Sequence, residues 1–153
     1  MKVILFQPQI PQNTGNVVRS CSVTGSELML VGPCGFSLND RHLKRAGLDY
    51  WEGVHFEFLE NEEAFIHYLS QTTAPFVFFS SHAALPYSQI SYTQNHQLIF
   101  GSETSGLSER LLALFPDRSV TIPMKSGARC LNLATSVGIG LFEAWRQCDF
   151  AFA

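Results

Sequence analysis

The sequence predicts an α/β domain built on a mostly parallel sheet flanked by helices, and three observations carry that prediction. Short β-rich runs at Val3–Phe6, Leu28–Val31, His55–Phe58, Phe76–Phe79 and Leu98–Phe100, with a last strand over Ser119–Ile122, alternate with helix-favouring segments. That is the pattern of parallel strands joined by crossover helices. Glycine-containing stretches follow apolar runs at Asn13–Arg19, at Gly101–Leu107, and from Ile122-Pro123-Met124 through Arg129-Cys130 to Leu131-Asn132-Leu133. Open α/β sheets bind small molecules beyond the carboxyl ends of their strands, so three such stretches point to one composite pocket. Finally, 153 residues with 46% hydrophobic and only 15% charged residues are enough for a real core, burying roughly two-thirds of the unfolded surface. So few charges point to an apolar face covered in a dimer.

The first helix is expected to begin near Asn13, read as an N-cap, after an extended Gln7–Pro11 segment that proline keeps out of helix. Gly15, Ser20, Cys21, Ser22 and Gly25 leave room for another backbone to approach it. A second helix is read between Glu60 and Ser70, where Phe65, Ile66 and Leu69 recur at helical spacing behind acidic residues that suit a helix N-terminus. It is scaffold. The last helix, from about Asn132 to Gln147, carries apolar residues almost all the way round, which predicts burial on two sides, one against the sheet and one against a partner subunit. No repeat, low-complexity tract or linker divides the chain, so residues 1–153 are read as one domain.

Several function classes fall away. A net charge of −3 excludes bulk electrostatic capture of nucleic acid, though not a local basic patch. Cys21, Cys34, Cys130 and Cys148 form no C-x-x-C pair and have no histidine at zinc spacing, so no metal site or disulfide framework is signalled, and reduced, cytosolic thiols are expected. The chain opens directly into a strand with no export segment, and Leu131–Trp145 is too short and too polar to cross a bilayer. There is no G-x-G-x-x-G, no P-loop and no G-x-S-x-G elbow, which removes ordinary dehydrogenase, NTPase and hydrolase readings.

The motifs do match a family. From Pro8-Gln9-Ile10-Pro11-Gln12-Asn13-Thr14-Gly15-Asn16, through Arg45-Ala46-Gly47-Leu48-Asp49-Tyr50, to Glu143-Ala144-Trp145-Arg146-Gln147, the chain resembles the SPOUT class of RNA methyltransferases. Within that class it is similar to the small group that methylates the ribose 2′-hydroxyl of the tRNA wobble nucleotide. The resemblance implies a C-terminal trefoil knot, which general topology rules would never predict. It also implies a cytoplasmic homodimer that recognises tRNA without a separate RNA-binding domain.

The resemblance further implies S-adenosylmethionine bent in the knot, held mainly by backbone groups at Phe79–Ser81, Gly101–Gly106 and Ile122–Asn132, and no metal. Phe79, Gly101, Ile122 and Leu131 are the implied adenine or ribose contacts. Glu103 is an orienting carboxylate, and Gly106, Met124, Cys130 and Asn132 complete the set. Taken alone, Gly101 and Gly106 read as turn residues of positive φ, and Asn132 as the cap of the last helix. Cys130 stands where relatives commonly have serine; ribose methylation needs no enzyme nucleophile, so it is read as a lining residue. Arg19 matches the family's catalytic arginine. A guanidinium stays protonated and is a poor base, so Arg19 is assigned to positioning the target phosphate and hydroxyl, with Asn13 and Asn16 orienting it or the ribose. Arg41, Lys44 and Arg45, beside the aromatic Tyr50 and Trp51, are the RNA candidates together with Lys125 and Arg129. Two other readings stay open at this level: a 2′-O-methyltransferase acting on a different tRNA or rRNA nucleotide, and a cofactor-binding RNA chaperone without turnover.

Overall fold

A computed structural model of the chain describes residues 1–37 and 53–151. Six strands, β1 (Lys2–Phe6), β2 (Glu27–Val31), β3 (Phe56–Leu59), β4 (Phe76–Phe79), β5 (Gln97–Phe100) and β6 (Ser119–Val120), form one sheet in the order β3-β2-β1-β5-β4-β6. Every pairing is parallel, for example Val3 beside Leu28 on one side and Leu98 on the other. The six strand predictions hold, with the last two residues shorter than read. Thr121 continues from β6 only as an isolated bridge to Pro86.

Both sheet faces are apolar because successive side chains point to opposite sides. Val3, Leu5, Leu28, Leu30, Val77, Leu98 and Phe100 share one core with α1 (Pro11–Thr24) and the last helix, α4 (Leu133–Gln147). Ile4, Phe6, Met29, Val31, Phe78 and Ile99 meet Phe65 and Leu69 of α2 (Glu62–Gln71) and Leu111 of α3 (Glu109–Leu114) on the other face. The acidic start of α2 is capped by the Asn61 side chain, which accepts from the Ala64 N–H.

One expectation is corrected. Asn13 does not cap α1: the helix starts two residues earlier, after an extended Ile10, because Pro11 carries a preset helical φ and lacks the N–H that a first-turn residue leaves unused. Within the chain, α4 buries the stripe Leu133, Val137, Gly140, Leu141 and Ala144 against the sheet, as expected for one of its two sides, and leaves Phe142 43% exposed. Gly140 sets the depth of that packing. A Cβ there would lie 2.7 Å from the Phe79 ring and 3.2 Å from the Phe100 ring, which stack with centroids 4.4 Å apart.

One turn makes stability depend on pH. His96 is 8% exposed, and its Nδ1 accepts the Thr93 N–H at 2.9 Å, a bond that requires the neutral ring. Burial lowers its pKa from the ordinary 6.5. The unfolded chain therefore takes up this proton first, so the contribution is complete above about pH 6.5 and is lost as pH falls through the lower folded value. Urea unfolding compared at pH 8 and pH 5 is expected to show a larger loss for wild type than for His96→Gln; equal losses contradict the assignment.

Candidate active site

The sheet order sets the site. From β1 the chain moves outward to β2, whereas β5, the neighbour on the other side of β1, is followed by a strand beyond β4. The direction of winding thus reverses between β1 and β5, and ligands of open parallel sheets bind at such a switch point beyond the carboxyl ends. A cavity of about 480 Å³ lies there, within the roughly 300–1,000 Å³ usual for small-ligand sites.

All nine residues read as cofactor-contacting line this one cavity: Phe79, Gly101, Glu103, Gly106, Ile122, Met124, Cys130, Leu131 and Asn132. Phe79, Phe100, Leu107 and Ile122 give it apolar walls, and Met124 and Leu131, 36% and 39% exposed, form an apolar rim. The loop after β5 is a closed turn in which Ser102 and Gly106 exchange backbone hydrogen bonds of 3.0 and 2.9 Å. Its two glycines act differently. Gly106 has φ +68°, the left-handed region. Gly101 is required by close approach, since a Cβ there would sit 2.3 Å from the Gly106 carbonyl carbon and 2.4 Å from the Leu107 nitrogen.

Glu103 joins the loops. Its carboxylate accepts the backbone N–H groups of Gln9 at 2.8 Å and Ile10 at 3.2 Å, and the Asn13 Nδ2 at 2.9 Å. The Asn13 Oδ1 accepts from Asn132 Nδ2 at 2.8 Å, and the Asn132 Oδ1 caps α4 by accepting the N–H groups of Ala134 and Thr135. The predicted cap at Asn132 is therefore present. Asn13 spends both ends of its amide on protein, which defines it as a positioning residue at the cavity wall.

Asn16 and Arg19 are exposed on α1 and do not line the cavity. Six residues of helix carry Arg19 about 9 Å along the axis from Asn13. Lys125 and Arg129 are exposed on the loop before α4 and also stand outside the lining. Arg41, Lys44 and Arg45, with the Arg45–Tyr50 motif, lie outside the described residues. Cys130 is exposed, and its Sγ lies 3.6 Å from the Ser81 Oγ. Burial pushes the Cys21 thiol up to about 12, and burial followed by the Glu103 charge pushes Cys34 up to about 11.

One constellation was invisible in the sequence. Glu27, His55 and Glu57 bring ligand atoms within 4.8 Å of one another at the opposite end of the sheet. The Lys2 ammonium sits there, 3.2 Å from Glu27 and 3.0 Å from Glu57, and supplies the counter-charge. Lys2, Glu27 and the His55–Glu57 pair are far apart in sequence and meet only through strand register.

A preformed cavity at a sheet switch point, walled by main chain and apolar side chains, defines an α/β protein that binds a small organic ligand. Residues 1–142 match the SpoU rRNA methylase family. A tRNA (cytidine(34)-2′-O)-methyltransferase of Methylovorus glucosotrophus (strain SIP3-4) is 43% identical over 152 residues, covering 99% of this chain and 97% of that protein. The chain belongs to the SpoU methylase family. A solved structure described as giving insights into the 2-OH methylation of C/U34 on tRNA superposes with a TM-score of 0.90 at 39% identity, over 98% of this chain and 97% of that one. The SpoU methyltransferase AviRb from Streptomyces viridochromogenes, solved in complex with AdoMet, superposes with a TM-score of 0.86 at 25% identity, over 97% of this chain and 58% of that one.

The Glu103 network makes a direct prediction. Asn13→Asp replaces a donor by a carboxylate facing Glu103, and is expected to lower the unfolding free energy by about 1–3 kcal/mol, read by urea denaturation. Unchanged stability would mean that the amide does not bridge the two loops.

Proposed function

We propose that this protein is a tRNA (cytidine(34)-2′-O)-methyltransferase that transfers the methyl group of S-adenosylmethionine to the ribose 2′-hydroxyl of the wobble cytidine or modified uridine, with leucine isoacceptors as the acceptors. The observation that carries the reading is the convergence of three loops on one cavity in a chain that matches such enzymes over its full length. The cavity fits S-adenosylmethionine in size and in its mixture of main-chain polar groups with apolar walls. Phe79, Gly101, Ile122 and Leu131 hold it through their backbone, with Met124 and Cys130 at the rim.

When bound, S-adenosylmethionine supplies a methyl carbon already activated as a sulfonium. The protein's task is then to align the ribose hydroxyl and let its proton leave. Glu103, Asn13 and Asn132 keep the cavity walls in register. Arg19 remains a cation and positions the target phosphate and hydroxyl, while the phosphate or water accepts the proton. Because Arg19 is exposed and stands away from the cavity of its own chain, it serves the RNA bound across a homodimer formed through α1 and α4. The exposed Phe142 on α4 and Val23 on α1, 43% and 50% exposed, are the apolar surface of that interface. Lys125 and Arg129, with Arg41, Lys44 and Arg45, carry the RNA backbone. One domain bears catalysis and RNA recognition together, with the C-terminal segment threaded as a trefoil knot.

Incubation with labelled S-adenosylmethionine and tRNA from a strain lacking this gene, followed by mapping of the product, is expected to place the label on the wobble ribose. Label at another nucleotide would redirect the substrate, and cofactor binding without incorporation would defeat the enzyme reading. Arg19→Ala is expected to lower transfer by at least about 10²-fold while leaving cofactor affinity unchanged by calorimetry. Loss of both together would make the residue structural.

A further inference from the structure

We propose that Gly35 is a positioning residue for methyl transfer, acting by letting the loop after β2 seat against the main chain of Gln9; this rests on the methyltransferase reading of the cavity. The Gly35 N–H donates to the Pro8 carbonyl at 2.9 Å. A Cβ at Gly35 would lie 2.7 Å from the Gln9 carbonyl oxygen, 2.8 Å from the Gln9 Cα and 2.7 Å from the Gln9 Oε1. Two of those three atoms are backbone, so no rotamer change relieves the contact. Gly35 is not among the glycines of positive φ, and its requirement is therefore space rather than conformational freedom.

The segment it touches is held from both sides. Glu103 accepts the Gln9 and Ile10 N–H groups from the cavity side, and Gly35 meets Gln9 and the Pro8 carbonyl from the loop after β2. Two residues before Gln9, Gln7 adopts φ 49°, a left-handed conformation for a residue with a side chain, which persists only where the surroundings over-determine it. The Gln7 N–H donates to the Val31 carbonyl at 2.8 Å, and the Gln9 Nε2 returns to the Gln7 carbonyl at 2.7 Å. This strap leads straight into Ile10 and Asn13, both on the cavity wall.

Gly35 itself is outside the cavity lining. A methyl group added there pushes the strap, not the ligand, so its effect falls on alignment. Methyl transfer to a hydroxyl is a reaction in which misplacement of about 1 Å costs about 10²-fold in rate.

The experiment compares Gly35→Ala with wild type and with Gly53→Ala, whose Cβ would meet, among the described residues, only the Ser22 Oγ at 3.9 Å. Amide exchange of Gln9 and Ile10, calorimetric affinity for S-adenosylmethionine, and kcat and KM with tRNA are measured on each. For Gly35→Ala the two amides are expected to lose protection and kcat to fall by about 10- to 100-fold, while cofactor affinity and KM stay within about threefold. Gly53→Ala is expected to match wild type. Because a clash can unfold the chain, Gln9→Gly loosens the strap without one and is expected to give the same split. Full kcat in Gly35→Ala or in a folded Gln9→Gly overturns the proposal, as does a parallel collapse of cofactor affinity and kcat in Gln9→Gly. A wild-type protein that transfers no methyl group brings down the functional reading and this inference with it; full turnover in both wild type and Gly35→Ala overturns the inference alone.

Discussion

The Glu103 carboxylate sits at the reversal point of the sheet and is met by donors that all come from the segment between β1 and the first turn of α1. A carboxylate accepting backbone N–H groups makes charge-assisted hydrogen bonds, roughly twice as strong as neutral ones. Its position beside the start of α1 also suits the positive end of that helix. Through Asn13 the same anion reaches Asn132 and the start of α4. Three chain segments, separated by more than ninety residues at the first link and by 119 at the second, are thereby locked into one arrangement. The cavity depends on that lock, since each of those segments contributes to its wall.

The sheet brings these segments within reach of one another. With all strands parallel, the loops after β1, β4, β5 and β6 emerge on one edge. Two-sided burial of the strands makes that edge a rigid platform, and rigidity is what a reaction governed by alignment needs. Close approaches paid for with glycine tighten it further: Gly101 closes the loop after β5, Gly140 seats α4 on the Phe79 and Phe100 rings, and Gly35 docks the loop after β2 on Gln9. Each has no side chain because backbone or an aromatic ring already occupies the space.

What the sequence disclosed follows the range of the interactions involved. The strands were legible because apolar and aromatic runs such as Phe76–Phe79 and Leu28–Val31 state their own burial. Asn132 was legible as a cap because its partners, Ala134 and Thr135, are two and three residues away. Asn13 looked like the same kind of cap, but Pro11 starts the helix earlier and frees the amide for Glu103 and Asn132, partners that no local pattern announces. Gly101 was read as a turn residue when its constraint is steric contact with Gly106 and Leu107. The Lys2, Glu27, His55 and Glu57 cluster and the Gly35 contact exist only through tertiary register. The positions of Asn16 and Arg19, exposed and away from the cavity, were likewise outside what motif matching conveys.

The central claim is that loops from separate parts of the chain form one cradle for S-adenosylmethionine. The most direct test is a titration with that molecule followed by backbone amide shifts in the NMR spectrum. The largest changes are expected together at Phe79, Gly101, Ile122 and Leu131, saturating with one common affinity. Shifts confined to one loop, different affinities at different loops, or no saturable change at any of them would contradict the account.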